Sequence, residues 1–136
     1  MPTEIETLCD TIEDCYEFTL SYAARGLTTD ADSDAGRQLR EKLTNALVAI
    51  RGLEAASRTA AAQLQGDEAL KLEAFVAVLG RDARNSSAVV DLVLAQPAIS
   101  SQLIDNLNAS IHLRALLTDL FLITEIVAAQ QVKAAS

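Results

Sequence analysis

Residues 111–129 read IHLRALLTDLFLITEIVAA, and wound as a helix they send apolar side chains in every direction around the axis. A helix of that kind is central in its fold, or has its second face covered by another subunit. It is not a membrane span. The apolar run from Ala115 to Ala129 is too short for a bilayer core and carries Asp119 and Glu125. Ser100 or Ser101 supplies a cap for this last helix, which runs to about Lys133.

Upstream, the same helical period recurs. Residues 4–25 form a first helix in which Ile5, Leu8, Ile12, Cys15, Thr19 and Tyr22 make an apolar seam. Thr3 and Glu6 have the spacing of a capping box, and Gly26 is the stop. The second helix starts near Ser33 or Asp34 and runs to Gln65, stopped by Gly66. Leu39, Leu43, Leu47, Ile50 and Leu53 form its stripe with Ala46 beside them, and Gly52 marks a kink or a close crossing. Asp67 caps a third helix carrying Leu70, Leu72, Phe75, Val76 and Leu79, ended by Gly80. Ser86 or Ser87 caps a fourth, with Val89, Val90, Val93 and Leu94, ended before Pro97. No segment alternates at period two. With 20 Leu and 24 Ala among 136 residues, against 5 Gly and 2 Pro, the composition also favours helix. The expectation is one all-α domain spanning 1–136, a bundle of about five helices with a buried, nearly all-apolar C-terminal helix.

Charge is unevenly placed. Residues 1–36 hold nine acids and one base, Arg25, and so carry the whole net charge of −8, while the remaining residues are balanced. Glu6, Asp10, Glu13 and Glu17 recur at four, three and four, an acidic stripe on a face away from the apolar seam. Such a field repels nucleic-acid phosphates and attracts basic protein surfaces, so nucleic acid is the first partner class to drop. The plain alternative is a solvated face that keeps an apolar protein soluble.

Asp30, Asp32, Asp34, Gly36 and Glu41 have the spacing of a degenerate EF-hand loop. The pattern departs where the sharp turn demands glycine, since Ala35 stands there, and where Arg37 replaces an apolar residue. No second loop pairs with it, so the expected role is a cap, Ser33 or Asp34, on the second helix. His112 shares a helical strip with Asp105, Asn108 and Asp119, groups that could line a ligand pocket, bind a metal or act as a base. A single histidine without repeated Glu-x-x-His pairs is expected to be a hydrogen-bonded packing residue, and no metal or cofactor is expected. Asp119, set in the apolar run, needs a buried partner, with Arg81 or Arg84 as candidates. Cys9 and Cys15 lie six residues apart and leave one helix on different faces, so they read as structural thiols. No catalytic motif is present, and an enzyme is not expected.

The reading that follows is a cytoplasmic interaction module: an adaptor, assembly chaperone or inhibitor. It would dock Glu6, Asp10, Glu13, Glu17, Asp30, Asp32 and Asp34 on a basic partner surface, with no membrane association and with homodimerisation expected. The alternative is a small-ligand or cofactor-binding bundle with a pocket near His112 and Asp119, completed by Asp105 and Asn108.

Overall fold

Three helices begin on side-chain caps that the sequence supplies. Thr3 Oγ1 accepts from the Glu6 amide at 3.2 Å, Ser33 Oγ from Gly36 at 3.0 Å and Ser100 Oγ from Leu103 at 3.0 Å. In the computed structural model, which describes residues 3–135, α1 spans Glu4–Ala23, α2 Asp34–Ala61, α3 Gly66–Leu94, α4 Ser101–Ala109 and α5 Ile111–Ala135. No strand occurs among the described residues, and the protein is an all-α bundle of five helices. Gly26 and Gly66 take left-handed φ values of 67° and 70°, which lets the chain turn sharply after α1 and into α3.

The helices pack antiparallel in sequence. Asp14 meets Lys42 between α1 and α2, Glu54 meets Arg84 between α2 and α3, and Ser86 reaches the His112 carbonyl between α3 and α5. Between them Leu39, Leu43, Ile50, Leu53, Leu79, Ile104, Leu116, Leu120 and Ile123 are essentially sealed from water. The α2 stripe is buried as expected. In α1, Cys9 takes an inward place and Leu8 moves to the flank, where its Cδ1 would lie 3.6 Å from a Cβ at Gly52. Gly52 therefore marks a close α1–α2 crossing, and α2 runs through it without a break.

Several boundaries differ from expectation: α2 ends at Ala61, short of Gln65, and α3 starts at Gly66 with Gln65 at its cap, so Asp67 lies in the first turn and caps nothing. The expected third and fourth helices are one continuous α3. Gly80 does not stop it; a Cβ there would lie 2.6 Å from the Glu54 carboxyl carbon, so this glycine serves the approach of α2. The expected last helix is broken at Ser110, whose ψ of 128° leaves the helical region. Its N–H donates to Leu107 O, and its carbonyl accepts from Arg114, so the ladder ends and restarts within one residue. The break lets α4 lie along α1 while α5 lies along α3. As a result the C-terminal helix is buried along one face only. Leu113, Leu116, Leu117, Leu120, Ile123 and Val127 turn inward, while Ile111, Phe121, Leu122 and Ile126 stay exposed.

Candidate functional site

Burying Ile5, Cys9, Ile12, Cys15, Thr19 and Tyr22 fixes which way the rest of α1 points. Glu6, Asp10, Glu13 and Glu17 fall within about 60° of one another on the opposite side, at 100° per residue. Asp10 and Glu17 are exposed, Glu6 and Glu13 half-buried. Within α1 there is no basic residue, and none of these four carboxylates has an ion-pair partner among the described residues. The Glu13 carboxyl titrates above its ordinary value of 4.5, first because it is partly desolvated and then because Asp10 and Glu17 crowd it with negative charge. The capping box is half made, since Glu6 Oε1 is enclosed and receives no hydrogen bond from the described residues.

A groove of about 460 Å³ borders this stripe, lined by Asp10, Thr11 and Asp14 of α1 and by Gln38, Glu41, Lys42 and Asn45 of α2. Three carboxylates there face one ammonium. Lys42 is already engaged, donating to Asp14 Oδ2 at 2.6 Å while its Nζ lies 5.7 Å from the centroid of the Phe18 ring. Glu41 and Lys42 join the acidic face through helix packing, a contribution that their own sequence neighbourhood did not reveal.

The Asp-rich loop divides differently from expectation. Asp30 is 8% exposed and turns inward, so it does not belong to a docking surface. Its carboxylate accepts from Arg40 Nε and, at 2.7 Å, from the Ile99 amide, and the Arg40 guanidinium holds it below the ordinary 3.8. Arg40 in turn donates to the carbonyls of Leu94 and Gln96 at 3.1 and 2.9 Å, closing the C-terminal end of α3. Ser33, not Asp34, supplies the α2 cap, while the exposed Asp34 pairs with Arg37 one turn on. Asp32 is exposed with φ 59° and stays available. Gly36 has its own reason to be glycine: a Cβ would fall 1.7 Å from the Asp30 carbonyl oxygen. The Asp spacing that resembles a calcium loop is thus accounted for by an internal ion pair, a helix cap and a tight backbone approach.

The second candidate set is not assembled. His112 is exposed on the first turn of α5, and its carbonyl receives Ser86 Oγ at 3.0 Å. Asp105 is exposed on α4. Asn108 looks toward α1, its Oδ1 accepting from Thr19 Oγ1 at 2.9 Å while Nδ2 is enclosed without a partner beside a void of about 20 Å³. Asp119 is buried and has no ion pair with Arg81 or Arg84 among the described residues; Arg84 is taken by Glu54. It faces Asp82 instead, and desolvation followed by that second carboxyl raises it from 3.8 to about 7. The break at Ser110 is what separates these residues, since the sequence strip assumed one unbroken helix. Asp82 lies inside α3, in the stretch 81–85 that the expected helix ends at Gly80 and Ser86 leave as a connection.

Cys9 and Cys15 are free, buried thiols whose values rise to about 12, chiefly through burial and then through neighbouring carboxylates. They are packing groups at neutral pH. No helix among the described residues is long and apolar enough to cross a membrane. Comparison with protein-family models, with curated proteins and with solved structures finds no match, and the chain's own residues carry the functional argument.

Proposed function

We propose that this chain is a cytoplasmic protein-interaction module that docks the acidic face of α1 on a basic surface of its partner. The observation that carries the reading is the unpaired row of Glu6, Asp10, Glu13 and Glu17 on a helix without a single base. Four carboxylates left without counter-charge on a rigid face raise the local potential and steer a cationic partner into register. The adjoining groove offers Asp10 and Glu41 to a lysine or arginine side chain inserted between α1 and α2. Asp32 extends the field at the loop end, whereas Asp30 serves the fold.

Affinity capture from native extract tests this reading in three arms: the intact chain, a variant with Glu6→Gln, Asp10→Asn, Glu13→Gln and Glu17→Gln, and a charge-matched variant. The last carries Asp67→Asn, Glu68→Gln, Glu73→Gln and Asp91→Asn on α3. A partner with a basic surface is expected with the first and third baits and lost with the second, and its retention is expected to fall steeply with added salt. Equal capture by all three baits refutes the docking face and leaves the stripe as solvation alone.

A further inference from the structure

The outward face of α5 carries exposed apolar side chains at its start and again from Phe121 to Ile126, and no other described element covers them. Ile111 is 75% exposed, Phe121 60%, Leu122 49% and Ile126 41%. Scattered exposed apolar residues need no explanation, but a row of them on one helical face marks an interaction surface. Val78 of α3 adds to it. The α3–α5 register, set by Ser86 with His112 and by Glu68 with Lys133, brings this half-exposed side chain level with Phe121 and Leu122. We propose that this face pairs with the same face of a second copy of the chain, the two α5 helices running antiparallel across a twofold axis.

The order of the side chains selects that occupant. Ile111, Ala115, Thr118, Leu122, Glu125 and Ala129 recur at four and three along the outward side, the spacing of a coiled-coil seam. When two such helices pair antiparallel, Ile111 falls opposite Ala129, Thr118 opposite Leu122 and Ala115 opposite Glu125, each contact occurring twice by symmetry. Large side chains then meet small ones, which allows close approach of the two backbones. Phe121 flanks the axis and meets its own counterpart.

Charge makes the same selection. Arg114 and Glu125 are the exposed charges within this face, and neither has an ion-pair partner among the described residues. Eleven residues, about 16 Å of helix, separate them within one chain, too far for them to meet. Antiparallel pairing sets Glu125 of each copy against the Ala115 layer of the other, beside Arg114. Parallel pairing would stack like on like. A foreign partner would find one charge of each sign and no net field to steer it, whereas a second copy satisfies both at once. The contact, about 27 Å long, lies at the small end of specific interfaces, so association in the micromolar range is expected.

Sedimentation equilibrium of the full chain, from roughly 1 to 300 µM, tests the proposal. The wild type is expected to fit a monomer–dimer equilibrium. Arg114→Glu and Glu125→Arg singly are each expected to raise Kd at least about tenfold, by replacing two attractions with two repulsions. The double variant is expected to return to within about threefold of wild type, and an equimolar mixture of the two single variants to form heterodimers. Both positions are exposed, and thermal melts of each variant check that the fold is retained. A wild type that stays monomeric throughout overturns the proposal and leaves the face to a different occupant. So do single swaps that leave Kd unchanged, or a double variant as weak as the singles.

Discussion

Replacing Asp119 by Asn should stabilise the protein at pH 8, by an amount that shrinks steadily as pH falls toward 4. Asp119 is 7% exposed, and its carboxyl faces Asp82 across the α3–α5 contact. Burial and the second carboxyl both disfavour its charged form, so its value in the native state rises from 3.8 to about 7. The sign follows directly. Between those values the unfolded chain has released this proton while the native state still holds it, so stability falls as pH rises through the interval. Below about pH 4 the loss is absent, and above about pH 7 it is complete. At about 1.4 kcal/mol per pH unit, the full loss is about 4 kcal/mol.

An asparagine cannot ionise, so the Asp119→Asn variant should recover part of that loss, about 1–3 kcal/mol at pH 8. The remainder is offset by an amide in a pocket where Asp119 Oδ2 already lacks a partner. In a chain of this size, such a gain corresponds to a rise in Tm of roughly 3–10 °C. Thermal melts followed by circular dichroism at half-unit steps from pH 6 to 8 provide the assay. This window lies above the titrations of Asp30 and Glu54, whose lowered values place their contributions at acid pH. Asp82→Asn supplies an internal check, because removing one carboxyl should move the upper end of the wild-type slope, near pH 7, to lower pH. A wild-type Tm flat to within about 1 °C across the window would refute the reasoning. So would an Asp119→Asn variant that melts below wild type at pH 8.

Other expectations concern the fold. Gly36→Ala sets a methyl group into the Asp30 carbonyl and should cost at least about 3 kcal/mol, lowering the urea midpoint far more than Gly26→Ala, where a Cβ meets nothing but the φ of 67° penalises it by about 1 kcal/mol. Arg40→Ala leaves Asp30 buried without its cation and two α3-end carbonyls without a donor, a loss of about 3 kcal/mol by chemical denaturation. Asp30→Asn should be milder, because the Ile99 amide keeps an acceptor. Cys9 and Cys15, both raised to about 12, should resist a thiol-specific chromogenic reagent at pH 8 in the native state and react fully in denaturant; rapid native labelling of either would contradict their burial.

How far the sequence carried the fold depended on whether the decisive physics was local. The α2 stripe from Leu39 to Leu53 and the caps at Thr3, Ser33 and Ser100 were legible because period and capping chemistry act within one turn. Gly80 and Ser110 misled for a shared reason. A glycine can end a helix or make room for a neighbour, and only the position of Glu54 decides which. A serine can continue a helix or break it, and here the break lets α4 pack on α1 while α5 packs on α3. The acidic loop illustrates the same limit at the level of chemistry. Its spacing was compatible with a cation loop, a docking surface or a cap. The choice was made by Arg40, ten residues away, and by the Ile99 amide, sixty-nine residues away. Local spacing names the groups that are present, and packing decides which of them remain free. On α1 that rule leaves Glu6, Asp10, Glu13 and Glu17 without ion-pair partners among the described residues, because α1 holds no base and Lys42 of the facing α2 is held by Asp14.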